Sequence, residues 1–168
     1  MPLILTFTKE GRTMAGFIET PHFFIPLSDG RKLSARMWQP SDKNCFPAPS
    51  ILEYLPYRKR DGTAIRDEGN YPLFSSSGYV CIRVDLPGQG DSDGLMLDEY
   101  TEDELSSGEE IINWIARQKW SNGNVGMIGI SWGGFNGLQI AMRRPLPLKA
   151  IVTVCSTVDR YADDIHYM

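Results

Sequence analysis

Apolar and polar positions follow two different periods along this chain, and the change from one to the other marks its elements. Short runs that alternate, or that are apolar throughout, fall at Phe23 to Pro26, Lys32 to Trp38, Ser50 to Leu55, Gly78 to Asp85, Asn124 to Ile130 and Lys149 to Cys155. Runs of this length, rich in β-branched and aromatic residues, predict strands. The first two flank Ser28-Asp29-Gly30, which predicts a β-hairpin whose turn uses the positive φ open to Gly30. Between Glu102 and Lys119, Leu105, Ile111, Ile112 and Ile115 share one broad helical face, while Glu102, Asp103, Glu109 and Glu110 gather toward the start. That pattern predicts an amphipathic helix with its acidic end at the positive pole of the dipole. Ser121-Asn122-Gly123 ends the segment, and Trp132 to Arg143 predicts a further helix stopped by Pro145 and Pro147. Ala64 to Ser77 predicts a surface connection, irregular or helical, with its aromatics turned inward.

Strand, helix, strand, helix, strand is the order of a mostly parallel sheet with right-handed crossovers and helices on both faces, the doubly wound α/β class. A length of 168 residues suits one domain, and no internal repeat, low-complexity tract or linker divides it. With 42% apolar, 11% aromatic and 23% charged residues, the composition is that of an ordinary globular protein, not of a disordered chain. No apolar stretch approaches the roughly 20 residues that span a bilayer. The opening Met1 to Phe7 carries no basic residue and no signal-peptidase site follows, so a cytoplasmic location is expected. A formal charge of -4 and no basic run longer than Arg58-Lys59-Arg60 argue against nucleic acid as a partner. Cys45, Cys81 and Cys155 are odd in number and lack metal-ligand spacing; they are expected to be reduced core thiols.

The chemistry concentrates at Gly129-Ile130-Ser131-Trp132-Gly133, a G-x-S-x-G pattern that follows an apolar strand and opens a helix. In such a turn the serine is pushed above the sheet, and side chains at the flanking glycines would strike neighbouring backbone. The new helix aims free N–H groups at the position where negative charge develops on an attacked carbonyl. Gly134 and Gly137 continue the run, as expected for close helix-to-sheet packing.

Three blocks add to this reading: Tyr54-Leu55-Pro56-Tyr57-Arg58-Lys59, then Arg83 to Gly94 (Arg-Val-Asp-Leu-Pro-Gly-Gln-Gly-Asp-Ser-Asp-Gly), then Gly126 to Gly134 (Gly-Met-Ile-Gly-Ile-Ser-Trp-Gly-Gly). Together and in this order they resemble the cocaine esterase and Xaa-Pro dipeptidyl-peptidase family of α/β-hydrolases, over about Phe23 to Met168. The resemblance implies Ser131 as nucleophile, Tyr57 as a side-chain donor of an oxyanion hole, and Trp132 as the second donor through its backbone N–H. It also implies ester or amide substrates, including the amide that follows a penultimate proline. Asp85 and Asp91 are expected to satisfy backbone N–H groups in turns rather than to react.

A hydrolase of this kind needs a histidine and an acid, in the order Ser, Asp or Glu, His. The chain has two histidines. His22 precedes the core strands and is expected at an edge. His166 follows Asp159, Asp163 and Asp164, so Ser131, Asp159 and His166 fit the order formally. The family, however, places acid and base on loops after later strands, and His166 is expected on a helical surface segment. The chain is therefore expected to be a single incomplete α/β-hydrolase domain over residues 1–168, the N-terminal portion through the nucleophile turn and the following strand. An edge strand and apolar surface would then be left uncovered.

Two functions follow. One is a serine hydrolase that cleaves ester or amide bonds through an acyl-serine intermediate, either Xaa-Pro dipeptidyl-peptidase-like or acylase- and esterase-like. The alternative is a non-catalytic fragment that needs a complementary chain. The expected partners are a small ester or amide or a short peptide, with a missing C-terminal half or a second copy of the chain; neither nucleic acid nor membrane is expected. No metal or organic cofactor is implied.

Overall fold

Six strands form one mixed sheet: β1 (Phe17–Pro26), β2 (Lys32–Pro40), β3 (Ala48–Leu55), β4 (Val80–Asp85), β5 (Ser121–Ile130) and β6 (Leu148–Val154). Three helices connect the later strands: α1 (Ala64–Ser76), α2 (Glu102–Ala116) and α3 (Trp132–Arg143), and a short α4 (Arg160–Asp163) follows β6. The computed structural model describes residues 8–9, 12–13 and 16–163. Thr8–Lys9 and Arg12–Thr13 make a separate two-residue antiparallel ladder.

The spatial order is β1-β2-β4-β3-β5-β6. β1, β2 and β4 pair antiparallel, whereas β4, β3, β5 and β6 are parallel. The chain thus runs from β3 outward to β4, then crosses back over β3 to β5. Alternate strand positions feed two different cores. Leu52, Ile82 and Met127 belong to the cluster that contains Leu105, Ile111 and Ile112 of α2 and Ile140 of α3. Their neighbours Ile51, Cys81 and Ile128 belong to the cluster of Trp38 with Tyr71 and Phe74 of α1. Because successive side chains point to opposite faces, α1 covers one face and α2 with α3 the other, as expected of a doubly wound sheet.

The hairpin extends further than the alternation predicts. β1 begins at Phe17, and its ladder shifts register between Thr20 and Phe23, where Pro21 cannot donate to a partner strand. Gly30 turns the hairpin at φ +93 as expected. α2 ends at Ala116 rather than at Lys119. Cys81 is a buried thiol, and burial pushes it up to about 12. Cys155 departs from expectation: it lies just past β6 with φ 54, and it is exposed. Cys45 is half-buried, in a short turn outside any strand. Val152 and Val154 of the edge strand β6 are 55% and 46% exposed, so this edge presents apolar surface.

Beneath α1 the sheet carries buried charge. Glu53 of β3 and Arg83 of β4 are adjacent in the parallel ladder, and both are buried. Arg83 Nε lies 3.4 Å from Glu53 Oε2 and 3.4 Å from Asp67 Oδ2. Arg66 closes the group on Glu53 at 2.6 Å and Tyr71 donates its hydroxyl to Glu53 at 2.5 Å. Arg83 also donates to the carbonyl of Leu55 at 3.3 Å and to Thr63 Oγ1 at 3.4 Å, the two ends of the loop between β3 and α1. Among the described residues no helix is long and apolar enough to cross a membrane.

Candidate active site

β5 ends at Ile130, and Ser131 turns the chain with φ 54 and ψ -118 before α3 begins at Trp132. This backbone conformation costs a non-glycine residue roughly 1–3 kcal/mol and persists only where the surroundings enforce it. They do so from both sides. The Ser131 N–H donates to the carbonyl of Val154 on β6 at 2.8 Å, and the Ser131 carbonyl accepts from the N–H groups of Gly134 and Phe135 at 2.8 and 3.0 Å.

The glycines leave room for this turn. A Cβ at Gly129 would overlap the Gly133 carbonyl and lie 2.8 Å from the Gly134 nitrogen; one at Gly133 would lie 2.8 Å from Leu55 Cδ2. Gly134 packs as closely, with a Cβ meeting Val154 O at 3.1 Å. Gly137 does not need its missing side chain, since a Cβ there would make an ordinary 3.6 Å contact with Thr153. Gly129→Ala is expected to lose about 1–3 kcal/mol of stability through this overlap with fixed backbone. Urea unfolding checks it; a loss below about 0.5 kcal/mol would show that the turn relaxes freely.

Tyr57 reaches the same place from the loop after β3. Its hydroxyl accepts a hydrogen bond from the Trp132 backbone N–H at 3.4 Å, across 75 residues of sequence. Lys59 anchors that loop. Its ammonium is fully buried, donates to Ser34 Oγ, and lies 3.0 Å from Asp91 and 3.6 Å from Asp85. The Lys59 backbone N–H donates to Asp85 Oδ1 at 2.7 Å. Asp85 therefore satisfies a backbone N–H, as expected, and burial raises its pKa against the pull of that bond and of Arg83 and Lys59. Asp91 instead pairs with the side chains of Lys59 and Arg60, which hold its carboxyl below the usual range.

Sequence reasoning missed two groups beside the serine. Tyr100 sits at φ 53 with its ring 5.2 Å from that of Trp132, and burial pushes its phenol up to about 12. Glu104 accepts the Trp132 indole Nε1–H at 2.7 Å. Thr101-x-x-Glu104 is a capping-box pattern that could have drawn attention to the glutamate. His22 lies on the edge strand β1 with its Nδ1 3.2 Å from Ser34 Oγ, away from Ser131. Asp159 is exposed and accepts from the Ala162 N–H at 3.0 Å, as a helix cap. Asp164 and His166 lie outside the described residues. Among the described residues, no cluster of three or more His, Cys, Asp or Glu side chains is arranged to hold a metal ion.

A strained serine between a parallel strand and a helix, on a sheet ordered β1-β2-β4-β3-β5-β6, is the arrangement of an α/β-hydrolase. Within that class the chain belongs to the X-Pro dipeptidyl-peptidase (S15) family, whose profile matches residues 29–168. It is 32% identical over 138 residues to the cocaine esterase of Rhodococcus sp. (strain MB1 Bresler), a match that covers 82% of this chain and 23% of that protein. Among solved structures it resembles a CocE/NonD family hydrolase from Staphylococcus aureus, with a TM-score of 0.70, 26% identity, and coverage of 81% of this chain and 27% of the other. An α-amino acid ester hydrolase is similar too, with a TM-score of 0.68, 26% identity, and coverage of 88% and 26%. The chain thus spans about a quarter of the length of these relatives.

Proposed function

We propose that this chain carries the nucleophile and oxyanion hole of a serine hydrolase that cleaves ester or amide bonds through an acyl-serine intermediate. The observation that carries the reading is the meeting of the Tyr57 hydroxyl and the Trp132 N–H, 3.4 Å apart, beside a serine held at φ 54. Ser131 Oγ bonds to the acyl carbon and gives its proton to a base, while the carbonyl π electrons move onto oxygen. That oxygen takes the place of the tyrosine hydroxyl as acceptor from the Trp132 N–H, and the phenol, freed to rotate, donates to it as well. Collapse expels the alcohol or amine with a proton, and water then releases the acid. Small esters and amides, or short peptides cleaved after proline, are the substrate classes that the relatives' names suggest.

The base and its acid are assigned to sequence beyond the described residues, since His22 sits on the opposite edge of the sheet from β6. A complementary segment that continues the sheet past β6 would bring them, which makes residues 1–168 one incomplete domain. The exposed apolar side chains of β6 favour this. The test is intact-mass labelling with a small fluorophosphonate, on this chain alone and on this chain joined to the part of the Rhodococcus esterase that it does not match. One adduct is expected on the joined chain and none in its Ser131→Ala variant. An adduct that survives Ser131→Ala, or folded joined protein that never labels, would sink the proposal. Labelling of the chain alone that depends on Ser131 would instead place a working base within residues 1–168.

A further inference from the structure

Three segments meet at one residue, Glu104. Glu104 stands in the first turn of α2 and is only 4% exposed. Thr101 Oγ1 accepts its backbone N–H at 3.3 Å, and Glu104 Oε2 accepts the backbone N–H of Tyr100 at 2.9 Å. This is a reciprocal helix cap moved one residue outward, and it occupies one carboxylate oxygen. The other, Oε1, accepts the Trp132 indole Nε1–H at 2.7 Å. The backbone carbonyl of Glu104 accepts the buried Tyr54 hydroxyl at 2.9 Å, which fixes the turn against β3. A cap does not require burial, and a buried carboxylate is costly unless its oxygens are occupied. Here both are, and each partner borders the nucleophile: Trp132 follows Ser131, and the Tyr100 ring lies 5.2 Å from the indole and 5.7 Å from Phe135.

We propose that Glu104 is a positioning residue for the acyl site, locking the Trp132 indole and the strained Tyr100 into one aromatic wall beside Ser131. The wall sets the shape of the space open to the acyl group, and the same bond holds the residue whose N–H faces the oxyanion. Its consequence for turnover rests on the acyl-transfer reading above; the lock itself does not. The groups that face the carboxylate are Glu99 and Tyr100 from the preceding loop and Trp132 and Asn136 from α3, with Tyr54 from β3 on the backbone carbonyl of the same residue and Arg160 over the Tyr100 ring. Burial is the largest influence and raises the Glu104 pKa; the bonds from Trp132, Asn136 and Tyr100 oppose it, and Glu99 adds to the rise.

The test is an ¹⁵N-indole spectrum of the whole chain, whose four tryptophans give four indole signals. Trp132 is assigned from the signal lost in Trp132→Phe. As pH rises, Glu104 ionises, the indole bond strengthens, and the Trp132 signal is expected to move downfield in one step with a midpoint above the ordinary glutamate range. In Glu104→Gln that step is expected to vanish while the other three signals keep their positions. A Trp132 signal that neither moves with pH in the wild type nor shifts in Glu104→Gln overturns the lock. Where Ser131 acylates, Glu104→Gln is expected to change the preference between a phenylacetyl and an acetyl ester by about tenfold. An unchanged preference overturns the positioning role. Absence of acylation altogether leaves the indole result to decide, so the two readings fail separately.

Discussion

Replacing Arg83 by methionine is expected to cost about 3–5 kcal/mol of folding stability, the usual effect of removing one partner from a buried ionic group. The guanidinium is fully buried between Glu53 and Asp67, themselves 2% and 0% exposed. Methionine fills much of the same volume, so the loss reports uncompensated carboxylates more than a cavity. The cost is expected to depend on pH in a direction that can be worked out. Burial already raises the Glu53 pKa, and Arg83 is the largest opposing influence, so removing Arg83 raises it further. A carboxyl raised in the folded state contributes stability at low pH that is lost as pH rises through its folded value. The deficit of the variant is therefore smaller at about pH 5 than at about pH 8. Adding Glu53→Gln to the variant should recover part of the loss at the higher pH. Urea midpoints at both pH values check this; a deficit below about 1 kcal/mol, or one equal at both, would show that the charges are screened.

The parts of this fold that could be read from sequence are those where burial is apolar and periodic. The pattern predicts α3 over Trp132 to Arg143, and the helix has those bounds, because its stop signals and its glycine-rich start are local. The apolar stripe of α2 is buried at Leu105, Ile111, Ile112 and Ile115 as expected. For α1 the sequence pattern does not separate helix from irregular chain, and the reason is physical: the residues it buries are Asp67, Tyr71 and Ser75, while Ile65 is 83% and Leu73 45% exposed. An inner face built from a carboxylate, a phenol and a hydroxyl carries no apolar period, and Pro72 within the helix weakens the signal further. Glu53 and Arg83 read as ordinary strand residues until the parallel register sets them side by side under α1. At the site, Ser131 was legible from its glycines. The approach of Tyr57 came from resemblance, since nothing local links residues 75 positions apart. Glu104 had a local capping signal, but the bond that gives it a role spans 28 positions to Trp132.

Tyr57→Phe is expected to lower the rate of Ser131 acylation about 10²- to 10³-fold, the range set by removal of one oxyanion-hole donor. The effect belongs to the transition state. A ground-state carbonyl oxygen carries little charge and gains little from the phenol, so the loss should appear in the acylation rate constant with KM almost unchanged. Folding stability should hardly move, because the half-buried ring is kept and the hydrogen bond lost with its oxygen is a long one, 3.4 Å, from an N–H at the mouth of the site. Trp132 cannot be tested in the same manner, as its donor is the backbone, and its side chain has a separate bond to Glu104. A residual rate above the uncatalysed reaction should therefore survive in Tyr57→Phe, and it should survive in proportion for fast and slow leaving groups. Stopped-flow acylation with an activated ester, on the form of the protein in which Ser131 labels, measures both quantities. A rate reduced less than about threefold would remove the phenol from the oxyanion hole and leave Tyr57 as packing; a raised KM with the rate constant intact would make it a binding group instead.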